Sequence, residues 1–120
     1  MAVRAVRGAT TVEVDAPEEI TERTQELLLE ILVANELTFD DVISVLFTAT
    51  HDVIAIFPAA AARGVGFGSV PLICAQEIPV PGSTPRCLRV MLHVETERHR
   101  EEIHHVYLHG AQGLRDDLPR

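Results

Sequence analysis

The chain has 120 residues, 47% of them hydrophobic but only 4% aromatic, and a formal charge of −8. That length suffices for one domain over residues 1–120 with a core of aliphatic side chains and alanine. An acidic chain excludes a phosphate backbone as partner, so no nucleic acid is expected, although a small anionic ligand sees only local charge.

No apolar run approaches the roughly 20 residues that span a bilayer, and the first residues lack the pattern of a signal peptide. No membrane partner and a cytoplasmic location are therefore expected. All ten basic residues are arginine. With no lysine amine, every Schiff-base mechanism is excluded.

In chain order, AVRAVRGATTVEV alternates as a strand, with Arg4 and Arg7 on opposite sides and Gly8 loosening its end, which places Arg7 at a strand-to-loop junction. Asp15 with Glu18 three residues later has the spacing of a capping box, and Pro17 between them fits a helix's first turn. The helix that follows, to about Ala34, sets Ile20, Leu27, Leu28, Ile31 and Leu32 at helical spacing. Thr38 caps a short turn, and VISVLFTAT from Val42 is a β-branched apolar run that predicts a buried central strand. Pro58 opens a short helix in FPAAAARG, with Arg63 in its last turn. The following GVGFG lacks the spacing of a phosphate loop and predicts a mobile connector.

The stretch from Val70 to His93 predicts two strands joined by a turn rich in proline and glycine. The second strand alternates Leu88, Val90, Leu92 and Val94 with Arg89, Met91, His93 and Glu95, which aims Arg89 away from the aliphatic core. On such a hairpin Cys74, Glu77 and Arg89 come together, and Cys74 and Cys87, expected reduced, face each other if the turn is symmetric. Regular alternation nonetheless puts Cys74 and Glu77 on opposite faces, unless the strand ends or bulges near Ala75. A short polar helix near Arg98 and a last strand from His104 complete the pattern. His99, His104, His105 and His109 lack a familiar ligand spacing, so no metal site is expected.

The elements alternate β, α, β, short α, β, β, short α, β. That order predicts an α+β fold, a mixed β-sheet with helices on one face in a ferredoxin-like layering. With so few helices the other face needs a cover, and a second subunit is the natural one.

Several fragments carry a family pattern together: RGATTVE at 7–13, FPAxAxR at 57–63, CxQE at 74–77, CLRVM at 87–91, HVYL at 105–108 and LR at 114–115. In these the chain closely resembles the monofunctional chorismate mutases of the AroH class, typified by bacilli, over essentially its full length. The resemblance implies a trimeric pseudo-barrel that converts chorismate to prephenate by a Claisen rearrangement, on the route to phenylalanine and tyrosine. It implies a homotrimer with active sites between subunits, and no cofactor. Arg89 would lie against the ether oxygen, Arg7 and Tyr107 would hold carboxylate, and Glu77 and Cys74 would engage the ring hydroxyl. Phe57 and Leu114 would pack the ligand, Ala59 and Ile73 would line the site, and Arg63 and Arg115 would stand at its mouth. Two positions depart from the pattern: Ala60 stands where lysine is common, and Ile73 where threonine often precedes the cysteine.

The chemistry fits these residue types, because a pericyclic rearrangement needs no nucleophile, no proton transfer and no cofactor. It needs a flexible dianion folded and held. The alternatives from other classes are a RidA-like enamine deaminase, or a non-enzymatic carboxylate-binding regulatory trimer, which would use the same arginines.

Overall fold

The computed structural model describes residues 1–114; Arg115 and the polar tail, expected to be frayed, lie outside the described residues. The strands are β1 (Ala2–Thr11), β2 (Val42–Ala49), β3 (Leu72–Gln76), β4 (Cys87–Thr96) and β5 (Val106–Tyr107), and the helices are α1 (Pro17–Ala34) and α2 (Pro58–Val65). All five strands form one mixed sheet in the order β3-β2-β4-β1-β5. β4 is antiparallel to both of its neighbours, whereas β2 with β3, and β1 with β5, run parallel.

Period-2 alternation divides the sheet into two faces. On the inner face Val6, Val45, Phe47, Val90, Leu92 and Val94 pack against Leu27, Leu28 and Ile31 of α1 and Ala59 and Ala62 of α2. Both helices therefore lie on one side, as the α+β reading expects. Gly8 lets α1 approach closely, since a Cβ there would stand 2.8 Å from Ile31 Cδ1 and 3.1 Å from the Val106 carbonyl. Rather than loosening a strand end, Gly8 sits inside β1 between Val90 and Val106. Arg7 is likewise within the strand, opposite Met91, and not at a loop junction.

The expected hairpin does not form: β2 lies between β3 and β4. Because β3 runs parallel to β2, the breaker-rich residues 77–86 are a crossover with both ends tied to the end of β2. The Glu77 N–H donates to the Ala49 carbonyl at 2.9 Å, and the Thr50 N–H donates to the Cys87 carbonyl at 3.0 Å. Cys74 pairs with Phe47 of β2, so it does not face Cys87, and both thiols are free. The central strand is β4; β2 is one step from the edge and alternates, with Val45 and Phe47 buried and Leu46 exposed.

Local signals were redirected in the same way. Ala16, without a side-chain bond, caps α1. Asp15 instead accepts the N–H groups of Ile54 and Ala55, each at 3.0 Å, and Glu19 accepts those of Glu13 and Val14. The supposed mobile connector is anchored, because Phe67 is fully buried and meets the Phe39 ring edge-on at 5.1 Å. Gly66, at φ +136°, lies under that ring, where a Cβ would stand 2.6 Å from it. The last strand is only two residues long before the chain turns at His109–Ala111, and the polar helix is the single turn Arg100–Glu102.

Asp52 pins the far end of the crossover. Its oxygens accept the Arg86 N–H at 3.1 and 3.0 Å and the Thr50 hydroxyl, which in turn accepts the Cys87 N–H at 2.9 Å. The Thr50 hydroxyl, outweighing partial desolvation and joined by the Arg86 N–H, holds the Asp52 carboxyl below its ordinary 3.8. A depressed carboxyl stabilises the folded state above its unfolded value, and that contribution disappears as pH falls through the folded one. Asp52→Ala is therefore expected to unfold more easily than the wild type at neutral pH. Chemical denaturation as a function of pH should show that difference closing below about pH 4, and a difference that persisted in acid would contradict this role.

Candidate active site

The outer face of the sheet, turned away from the helices, carries one register row across all five strands: Ala75, Thr48, Arg89, Ala9 and Tyr107. Small Ala9 and hydroxyl-bearing Thr48 flank Arg89 on either side. In the next row Ile73, Leu46 and Met91 precede Arg7. Between these rows lies a cleft of about 170 Å³, bounded by Arg7, Thr48, Glu77, Arg89, Met91 and Tyr107 among others. β-Pairing alone thus gathers two guanidinium groups and a phenol on one surface.

Glu77 joins them from just beyond β3, where its bond to Ala49 keeps the backbone against β2. Its Oε2 accepts the Thr48 hydroxyl and stands 3.8 Å from Arg89 Nε. That separation is an ion pair but too long for a hydrogen bond. Arg89 Nε is buried and has no hydrogen-bond partner among the described residues, while the side chain as a whole is 40% exposed. The guanidinium is thus held at the cleft wall without closing onto Glu77, its Nε unpaired and its other side toward the Cys87 thiol.

Beneath it, Cys87 is fully buried in a cluster with Ala9, Tyr107 and Ala111, against which Leu114 packs. Burial pushes the Cys87 thiol up, with neighbouring Arg89 drawing it partly back. A thiol kept neutral does not compete as an anion for the guanidinium. The Arg7 N–H donates to His105 Nδ1 at 3.0 Å, which ties β1 to the segment entering β5.

The remaining expected site residues lie elsewhere. Phe57 and Cys74 line a separate, larger cavity of about 620 Å³ beyond the end of β2, with Thr50, His51 and Ile54 also in its wall. Cys74 and Glu77 are therefore not neighbours in one cleft, because β3 continues without a bulge through Cys74 to Gln76 and alternation separates them. Phe57 is 71% exposed, an unusual state for its ring. Ile73 is also exposed, on the outer face of edge strand β3, and Arg63 is exposed on α2. Ala59 is buried in the core. Arg115 lies outside the described residues. Thr48 and Cys87 are the neighbours of Arg89 that the sequence reading missed. The one available signal was the spacing of Ser44 and Thr48 in β2, which puts both hydroxyls on one face of an otherwise apolar strand.

Among the described residues no three of His, Cys, Asp and Glu come together as metal ligands. His93 lies 3.3 Å from Ser44 Oγ, and His109 pairs with Glu26 at 2.8 Å. No helix among the described residues is long and apolar enough to cross a membrane.

Comparison with known proteins agrees with this arrangement. A family model described as chorismate mutase type I matches residues 3–118. A chorismate mutase AroH of Thermus thermophilus is 48% identical over 117 residues, covering 97% of this chain and 96% of the relative. Its counterpart in Bacillus subtilis (strain 168) is 44% identical over 119 residues, covering 98% and 94%. Among solved structures, a chorismate mutase from Clostridium thermocellum superposes with a TM-score of 0.88 at 51% identity, over 90% of this chain and 96% of that one. The chain belongs to the type I chorismate mutase family.

Proposed function

We propose that this protein converts chorismate to prephenate, on the route to phenylalanine and tyrosine, in a single cytoplasmic domain that assembles as a homotrimer. The observation that carries the reading is the cleft in which Arg7, Arg89 and Tyr107 face Glu77, with the Arg89 Nε donor unpaired. Such a site offers positive charge and fixed donors to a small dianion. It requires no group to change its protonation state.

In the rearrangement, breaking of the carbon–oxygen bond runs ahead of carbon–carbon bond formation, so negative charge gathers on the ether oxygen. A guanidinium fixed there binds the transition state more strongly than the ground state, which is the condition for raising kcat. Arg89 takes this role, because its strand is locked on both edges and its partly exposed guanidinium borders the cleft without closing onto Glu77. Arg7 and Tyr107 hold carboxylate, and Glu77 accepts the ring hydroxyl through its other oxygen.

An acceleration at the modest end for enzymes needs about 8 kcal/mol. One oriented donor supplies about 3–4 kcal/mol of that. The rest comes from holding the chain-like substrate with its reacting carbons in contact.

A single subunit leaves this cleft open to water. Leu46, Ile73 and Val3 are exposed on or beside the same outer face, an apolar surface suited to burial against a second copy. The cavity bearing Phe57 and Cys74 is separate from the arginine cleft within one chain. In the trimer proposed here, that cavity of one subunit closes over the cleft of its neighbour and excludes water, which strengthens the Arg89 charge. Arg63, Ile73 and Leu114 contribute to substrate capture around the two halves, Ala59 supports them from the core, and Arg115 is assigned to capture on the family resemblance alone.

Conversion of purified protein plus chorismate, followed by the loss of chorismate absorbance, is the direct test. Arg89→Ala should lower kcat by about 10²–10³, and Arg89→Lys should also be poor, because a point charge on a flexible stem does not reproduce a planar donor. Normal turnover in Arg89→Ala would remove this assignment.

The shared site is tested by complementation. Arg89→Ala and Phe57→Glu chains, each expected to be inactive, are co-refolded in equal amounts, and about a quarter of the clefts should inherit both intact halves. Recovered activity is the expected result. A mixture as inactive as its parents, despite demonstrated subunit exchange, would place the whole site within one chain.

A further inference from the structure

We infer that Thr48 is a positioning residue for the reaction, its hydroxyl holding the Glu77 carboxylate where it can meet the substrate without closing on Arg89. The inference rests on the mutase reading above and concerns the same cleft.

Three groups from three different segments fix the arrangement. Thr48 of β2 is the direct cross-strand partner of Arg89 in β4, so both side chains leave the sheet on the same face. Glu77 is anchored through its own N–H to the Ala49 carbonyl, which sets its Cα beside the end of β2. The Thr48 hydroxyl donates to Glu77 Oε2, the same oxygen that stands 3.8 Å from Arg89 Nε.

A carboxylate beside a guanidinium with a free donor ordinarily closes into direct, often bidentate, hydrogen bonds. Here it stops short. Glu77 Oε2 is engaged by a hydroxyl on a β-branched side chain, whose χ1 is stiff, and a charge-assisted bond from so rigid a donor competes with collapse onto Arg89. The consequence is a division of labour: Arg89 keeps its guanidinium clear of a direct carboxylate bond for the developing oxyanion, and Glu77 keeps Oε1 for a ligand hydroxyl. Without the hydroxyl, Glu77 would settle onto Arg89 and neutralise the charge that the transition state needs. The loss would fall on kcat more than on KM, since charge on the ether oxygen is largest in the transition state.

The test separates hydroxyl from shape. Thr48→Val keeps the branched outline and removes the donor; Thr48→Ser keeps the donor and removes a methyl. With chorismate as substrate, Thr48→Val should lower kcat roughly tenfold or more, the size expected for losing a hydrogen bond to a charged group, with KM changing far less. Thr48→Ser should retain most of the wild-type kcat. In a Glu77→Gln background, itself impaired, adding Thr48→Val should cost little more, because Thr48 acts through Glu77.

Full turnover in Thr48→Val, a serine variant as poor as the valine one, or an undiminished valine effect in the Glu77→Gln background would each overturn the inference while leaving the mutase reading intact. Wild-type protein inert toward chorismate would overturn that reading and Thr48's role with it.

Discussion

Strand β4 is hydrogen-bonded along both edges, to β1 from Ala2 to Thr11 on one side and to β2 from Val42 to Ala49 on the other. A strand held twice has no freedom to slip, because a shift of one residue would turn Leu88, Val90, Leu92 and Val94 out of the core and bury Arg89, Met91 and His93 in their place. The cost of burying an unpaired guanidinium makes that slip prohibitive. Register is therefore the interaction on which the site depends. Once it is set, Ala9 and Thr48 must flank Arg89, and Tyr107 and Ala75 must end the row.

The packing beneath supports the same placement. α1 comes close to β1 only because Gly8 has no side chain, and that approach seats Ile31 and Leu27 on the inner face. The outer face is thereby left to Arg7, Thr48, Arg89 and Tyr107, interspersed with exposed apolar side chains such as Leu46 and Ile73. Such a division suits a reaction that asks for rigid donors and no moving proton, since preorganised dipoles need no rearrangement at the moment of bond breaking. Asp15 extends the same rigidity to the edge of the large cavity by fixing the loop that leads to Phe57, and Asp52 holds the far end of the crossover by fixing Arg86.

Much of this could be read before any coordinates. The alternation along 88–95 gave the direction of Arg89, the apolar spacing from Ile20 to Leu32 gave α1, and the six family fragments gave the chemistry. What escaped the sequence was adjacency. A run of prolines and glycine between two strands is equally compatible with a tight turn and with a crossover, and only the competition for β2's edges decides between them. The same gap explains Thr48: a threonine in an apolar strand announces nothing until its cross-strand partner is known. Asp15 had the spacing of a cap, yet distant N–H groups of the 54–55 loop were better placed to use it. Phe67, between two glycines, looked like part of a connector because its burial against Phe39 is wholly tertiary.

The late position of β4 in the chain also governs how the protein is made. β1 and β2 flank it in the sheet but precede it by many residues, so as the chain emerges their facing edges have no partner, and α1 already joins them across a gap one strand wide. The sheet closes only when residues 87–96 enter that gap, a non-local pairing that carries a loop-closure cost before it yields any contacts. The strand that completes the hydrogen-bond ladder is also the one that brings Arg89. Partly made or partly folded chains therefore hold neither a finished sheet nor a charged cleft, and until closure their open strand edges are surfaces on which aggregation can begin.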